Sequence, residues 1–255
     1  MNQRPSVLCI GGHDPTGGAG IQADIETVSA LGARALTLVS ALTAQNTTNV
    51  QAVWPTPTDS FVQQFDCLVE DIAPDAVKIG LIGSSAQIGL IAQRLPTIPG
   101  PVVLDPVLAA GGGFELGDDG ITRAIRDDLL PLTSLITPNR AEARRLSGID
   151  DPHAAADALL DAGAAAVLVT GADEAGDAVV CNRLYTVGDQ PLTFEWPRLP
   201  HVYHGSGCTL ASACATLMAR GTVLADAVAA AQEFVWKSLE AAENPGQGQR
   251  LPRRI

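Results

Sequence analysis

Two glycine-rich segments have the composition of anion-binding loops. GGHDPTGGAGIQAD, residues 11–24, runs from an apolar strand through five glycines into a helical pattern, and HGSGCTLASA, residues 204–213, leads directly into a helix of small residues. Successive backbone N–H groups at a helix start are unpaired donors at the positive end of the helix dipole, so Gly205-Ser206-Gly207-Cys208 has the makings of a phosphate site. Cys208 falls in the first turn, where a thiolate is favoured and the thiol pKa is expected to fall. Ala211, Ser212, Ala213 and Ala215 let that helix pack closely on its neighbours. In the first segment Asp14 and Asp24 flank the loop, and an apolar helix face needs neither, which favours a chemical role for both.

Carboxylates recur at two further strand ends. VVLDPV ends a buried run in Asp105, and the carboxyl ends of strands are where an open α/β sheet has its ligand crevice. TPNRAE places Asn139 and Glu142 three residues apart, on one face of a starting helix. There they could hold magnesium-bound water near phosphates, or serve as a capping box. Several phosphate and nucleophile motifs are missing. Neither lysine of the chain, Lys78 or Lys237, follows a glycine in a Walker loop, there is no H-R-D or D-F-G, and no G-x-S-x-G elbow. Gly18-Ala19-Gly20-Ile21-Gln22-Ala23 satisfies a dinucleotide fingerprint, but it lies six residues beyond the strand end and has no acidic residue near Leu38 to hold a ribose.

The elements that position these segments follow from the hydrophobic pattern. Strands are expected near 6–12, 34–42, 76–80, 101–105, 133–137 and 165–170, with helices between them near 20–32, 59–71, 84–95, 121–130, 139–147 and 151–162. That alternation is the signature of an α/β fold with a mostly parallel sheet. After residue 170 DAVVCNRLYT and PLTFEW read as antiparallel strands, followed by helices near 207–219 and 222–242. One domain over residues 1–255, three layers deep, is expected, with NPGQGQRLPRRI as a surface strap or frayed end. The chain is 46% apolar with a formal net charge of −12, which argues against nucleic-acid and membrane-surface partners. No window is apolar for the length of a membrane span and no signal-peptide core precedes His13. Five scattered cysteines without metal spacing fit free thiols in the cytoplasm.

Taken in order, GGHDPTGGAGIQADIETVSALGA, SALTAQNT, VKIGLIG, VVLDPVLAAGGG, LITPNRAEARRL and HGSGCTLASACA closely resemble the hydroxymethylpyrimidine/phosphomethylpyrimidine kinases of thiamine biosynthesis, over roughly residues 7–242. The resemblance implies a ribokinase-like α/β/α fold and two successive ATP- and Mg²⁺-dependent phosphorylations, of 4-amino-5-hydroxymethyl-2-methylpyrimidine and then of its monophosphate. It implies that Gly12, Asp24, Gln45 and Val107 form the pyrimidine pocket and that Gly205, Ser206, Gly207 and Cys208 form the catalytic anion hole. Cys208 would stand where related sugar kinases place a catalytic aspartate, as proton acceptor. Asn139, Glu142 and Thr170 would bind nucleotide, Asp105 and Glu142 the metal, and a homodimer is implied.

One departure is notable. Where many members read Lys-Gly-Gly-His, this chain has Thr170-Gly171-Ala172-Asp173, which removes a positive charge from the nucleotide phosphates and makes their binding lean more heavily on magnesium. Lys78 is the remaining lysine near the site, with a phosphate role and a structural role equally open. His13, His201 and His204 lack metal spacing and read as loop-packing or solvent residues, and Trp54, Trp196 and Trp236 as core or interface aromatics. Alternatives to the pyrimidine kinase are a pyridoxal kinase of the same fold, a pyrimidine-binding homologue with a weakened kinase site, and a cysteine hydrolase using Cys208 and His204. The glycines of residues 106–120, Gly111 to Gly113, suggest a closing lid.

Overall fold

The computed structural model describes residues 4–109, 113–114, 116–173 and 178–255. The lid expectation therefore rests in part on residues outside the described ones. The chain runs β1 (Ser6–His13), α1 (Gly20–Ala30), β2 (Arg34–Gln45), β3 (Val50–Pro55), α2 (Thr58–Asp71), β4 (Ala76–Ile79), α3 (Ser85–Arg94) and β5 (Val102–Leu104). It continues with α4 (Asp119–Ala124), β6 (Leu135–Ile136), α5 (Arg140–Ser147), α6 (Pro152–Asp161), β7 (Ala166–Val169), β8 (Val179–Thr186), β9 (Leu192–Pro197), α7 (Ser206–Ala219) and α8 (Leu224–Glu240).

Among the described residues nine strands form one sheet in the order β3-β2-β1-β4-β5-β6-β7-β8-β9. Strands β2, β1, β4, β5, β6 and β7 are mutually parallel, and antiparallel pairings β2–β3, β7–β8 and β8–β9 complete the two edges. The fold is the expected α/β architecture. Strand side chains alternate between two cores. Leu8, Ile10, Val77 and Ile79 face one layer with Phe61, Phe65, Ile88 and Leu159. Val7, Cys9 and Ala76 face the other, made of α1, α7 and α8 through Val28, Ala211, Ala215 and Val228. Ala211, Ser212, Ala213 and Ala215 of α7 are fully buried, as close packing requires.

The strand order reverses between β1 and β4. From this seam the chain winds outward in both directions, and the carboxyl ends of the strands diverge to leave a crevice. Gly11-Gly12-His13 end β1, and Lys78-Ile79 end β4 just before Gly80, at that seam.

The hairpin partner β3 is absent from the sequence reading, and β2 extends to Gln45 rather than Leu42. The hairpin projects beyond the layered body, where Leu42 and Trp54 pair across strands at 53% and 56% exposure. Without a helix layer to bury one face, it lacks the uniform apolar run that marks the inner strands. The terminal segment is a strap and not a frayed end. Glu243 pairs with Leu251, Arg250 with Tyr203, and Arg254 is buried.

Candidate active site

A cavity of about 510 Å³ opens over the seam at the carboxyl ends of the strands. Its wall brings together Gly12, Gln45, Val107, Asp105, Asn139, Glu142, Thr170 and the whole Gly205–Cys208 loop, from segments up to two hundred positions apart. Asp24 is the exception. It lies on the buried stripe of α1 with Ile21 and Val28, fully shielded, and is not among the residues that line the cavity.

The reason is Lys78. Side chains at Ala76 and Lys78 share one strand face, so Lys78 points into the layer of α1 and α7, while its ammonium reaches the cavity wall. Its Nζ lies 2.8 Å from Asp24 Oδ1, and both side chains are fully buried. Ser212 of α7 donates to the same Asp24 oxygen at 2.6 Å. Burial opposes the charge on Lys78, but Asp24, Cys208 and Asp105 outweigh it and hold the ammonium protonated well above its ordinary range. A buried charge requires this kind of partner. Asp24 is thus the counterion of Lys78, which sequence reasoning left between two roles. The scarcity of lysine was the available signal.

The two glycine loops press on each other. Gly205 adopts φ +76°, and a Cβ there would lie 1.9 Å from the Gly18 carbonyl oxygen. Gly20, at φ +60°, would put a Cβ 2.2 Å from the Gly12 oxygen. Asp14 fastens the pair. Its carboxylate accepts from the backbone N–H groups of Thr16 and Ala19 and from the Thr16 hydroxyl, and it lies 2.9 Å from His204 Nε2. Burial alone would raise the Asp14 pKa, yet the His204 and Thr16 hydrogen bonds hold it below the ordinary carboxylate value. His204 is therefore a loop-packing residue. Asp14 holds one ring nitrogen of His204 as a triad carboxylate would, but among the described residues no hydrogen bond joins His204 to Cys208, so the pair does not form a hydrolase triad.

Cys208 is half-buried at the wall. The expected fall of its pKa is corrected: burial pushes the thiol up to about 12, with Asp105 and Asp24 adding to the rise and Lys78 and the Gly20 N–H opposing it. Asp105 also lines the cavity wall, and its own pKa is raised by burial and by Asp24 against the pull of Lys78. Position in a helix's first turn is a weaker influence than burial of the thiol.

At the far end of the wall, Asn139 and Glu142 form the capping box of α5. Asn139 Oδ1 accepts from the Glu142 N–H, and Glu142 Oε2 accepts from the Asn139 N–H, each at 2.9 Å. Thr170 bridges to Asn139, and Asp173 accepts from the Ala141 N–H. Burial, then Asp105, push Glu142 up to about 8, with Asp173 adding to the rise. The Thr170–Asp173 departure thus makes this end more acidic as well as less basic. Among the described residues no group of three or more His, Cys, Asp or Glu side chains could hold a metal ion unaided. Asp105 Oδ2 is nevertheless buried without a hydrogen-bond partner.

The Glu142 shift carries a pH signature. The folded state keeps a proton on Glu142 between about 4.5 and about 8, where the unfolded chain has lost it. Its contribution to stability is therefore complete below the ordinary carboxylate pKa and disappears as pH rises to the folded value. Thermal melts across that window are expected to fall less steeply for Glu142→Gln than for the unmodified protein. Parallel slopes would contradict the assignment.

The phosphomethylpyrimidine kinase family model matches residues 14–252. The chain belongs to that family. It is 38% identical over 250 residues to the hydroxymethylpyrimidine/phosphomethylpyrimidine kinase of Streptomyces coelicolor, covering 96% of this chain and 92% of that one. A pyridoxal kinase from Bacillus subtilis, solved as an ADP complex, superposes with a TM-score of 0.90 at 30% identity, covering 99% and 98% of the two chains. The phosphomethylpyrimidine kinase of Clostridium difficile superposes with a TM-score of 0.78 at 32% identity, over 92% and 98%. The kinase fold is ribokinase-like, as the motif order implies. None of its described helices is long and apolar enough to cross a membrane.

Proposed function

We propose that this family member phosphorylates 4-amino-5-hydroxymethyl-2-methylpyrimidine and then its monophosphate, with ATP as donor, in thiamine biosynthesis. The observation that carries the reading is the convergence of the Gly205–Cys208 loop, the Lys78 ammonium and the Gly12/Gln45/Val107 wall on one cavity. Gln45 offers a carboxamide, and Gly12 and Val107 offer backbone groups, to the acceptors and amino group of a 4-aminopyrimidine. The loop N–H groups and Lys78 face the transferred phosphoryl, whose spread charge fixed donors stabilise without reorganising. Because the Cys208 thiol is neutral at rest, it must lose its own proton before it can take that of the hydroxymethyl group.

Asn139, Glu142 and Thr170 bind the nucleotide in this reading. The unpartnered Asp105 oxygen and the mutual repulsion of Asp105 and Glu142 suit a cation. Magnesium binds through one or two carboxylates together with substrate phosphates, so two side chains suffice. Bound there it would neutralise phosphate charge. We read residues 1–255 as a single ribokinase-like domain of a cytoplasmic homodimer, with the exposed Leu42–Trp54 pair supporting a partner at the β2–β3 hairpin.

ADP release from ATP, Mg²⁺ and the pyrimidine alcohol tests the activity. Cys208→Ala is expected to lower kcat by about 10²-fold, and an unchanged rate would remove Cys208 from the chemistry. A second reading, pyridoxal kinase, draws on the higher TM-score of the pyridoxal kinase superposition. The ratio of kcat/KM on the two alcohols decides between them.

A further inference from the structure

Arg254 is 4% exposed, an unusual place for an arginine outside a strand or helix, and it lies beyond the residues matched by the family model. Its Nε donates to Thr209 Oγ1 at 2.9 Å, Nη2 donates to the Gly18 carbonyl, and Nη1 reaches the Gly17 carbonyl and Glu26 Oε2. These acceptors belong to both glycine loops. Thr209 in turn donates to the Gly205 carbonyl at 2.7 Å, and the Gly18 carbonyl that Arg254 holds is the group pressed against Gly205. A single guanidinium therefore fixes both sides of the loop-to-loop contact.

The strap that delivers Arg254 is itself pinned. Gly248 N–H and Gln249 N–H donate to Thr47, and Arg250 N–H donates to Val202. His204 N–H donates to the Arg250 carbonyl, and Arg253 N–H to the Ser238 carbonyl. Leu251 lies against Gly18. Glu26, the one carboxylate among the Arg254 acceptors, is 37% exposed, so the guanidinium is held chiefly by neutral backbone and hydroxyl groups. A buried ion of this kind adds little to stability over a well-packed apolar side chain. What an apolar side chain lacks is the planar fork that holds several acceptors at fixed spacing.

We propose that Arg254 is a positioning residue for phosphoryl transfer, holding the Gly17–Gly18 and Gly205–Thr209 loops in register so that the anion-loop N–H groups face the transferred group. This rests on the kinase reading of the same cavity. Its effect falls on kcat, because the loop donors act on charge that develops in the transition state, whereas Gln45 and Val107 lie elsewhere on the wall.

The test compares full-length wild type with Arg254→Ala and Arg254→Lys by steady-state kinetics and by hydrogen exchange in the two loops. Arg254→Ala is expected to lose about 10²-fold in kcat with KM for the pyrimidine nearly unchanged, to exchange faster at residues 17–20 and 205–209, and to recover turnover on addition of ethylguanidinium. A lysine, which cannot span Thr209 and Gly18 together, is expected to retain intermediate turnover. Near-wild-type kcat in Arg254→Ala overturns the proposal, as does a loss of kcat with unaltered loop exchange and no rescue. If Arg254→Ala fails to fold, Arg254→Lys decides: reduced kcat at constant KM supports the proposal, and wild-type kcat overturns it. Wild-type turnover is the separate control on the kinase reading, and the exchange comparison holds whatever the substrate.

Discussion

Lys78→Met is expected to destabilise the protein by about 3–5 kcal/mol, the usual range for leaving one member of a buried pair uncompensated, and to abolish measurable turnover. The two effects have different causes and can be separated. Stability falls because Asp24, fully buried, keeps only the Ser212 hydroxyl, with Oδ2 already lacking a partner. Turnover falls because the cavity floor loses the cation that faces the anion loop. Adding Asp24→Leu to Lys78→Met removes the orphaned carboxylate and is expected to restore most of the stability, since apolar replacement of both partners of a buried pair is often neutral. It should restore none of the activity. Urea unfolding with ADP-release assays on the four proteins of the cycle gives both answers. An active double variant would show that Lys78 serves only the fold.

Gly205→Ala is expected to be the most damaging single-methyl change. A left-handed backbone costs a non-glycine residue about 1–2 kcal/mol, and the added Cβ would meet the Gly18 oxygen at 1.9 Å and the Ala19 Cα at 2.9 Å. Neither neighbour is the end of a flexible side chain, so the loops must separate. The expected result is a loss of about 3 kcal/mol or more, with kcat reduced by about 10³-fold as the loop N–H groups turn away. Gly188→Ala is a matched control, because its φ of +83° carries the same backbone penalty with nothing within 4 Å of the new methyl. If Gly188→Ala and Gly205→Ala behave alike, the contact between the loops is not what positions the anion hole.

Much of this was legible in the sequence, for identifiable reasons. Parallel strands buried on both faces give short apolar runs such as SVLCIGG and VVLD, and these fall where the sheet has them. Motif order brought the wall residues from Gly12 to Cys208 to one cavity, because strand ends in such a sheet have nowhere else to converge. What escaped was pairing at a distance. Asp24 and Lys78 are 54 positions apart, Asp14 and His204 are 190, and Arg254 and Gly18 are 236. No local period encodes such pairs. The same blindness produced the wrong sign at Cys208: its first-turn position is visible in sequence, but the burial that raises its pKa, and the Asp105 and Asp24 carboxylates that add to the rise, depend on elements distant in the chain.

The reversal of strand order between β1 and β4 divides the cavity by provenance. Thr43, Gln45 and Val50 reach it from the β2–β3 hairpin on one side of that seam, while Asn139, Glu142, Thr170 and Asn182 reach it from β6 to β8 and α5 on the other. In the kinase reading proposed above, the hairpin, with Gly12 and with Val107 beyond β5, serves the moiety that accepts phosphate, while the stretches from β6 to β8 and α5 serve the moiety that donates it. Such a molecule is modular. Its acceptor preference can drift through substitutions in one projecting hairpin while the transfer machinery stays intact, which gives a physical basis for pyridoxal and pyrimidine kinases sharing one frame.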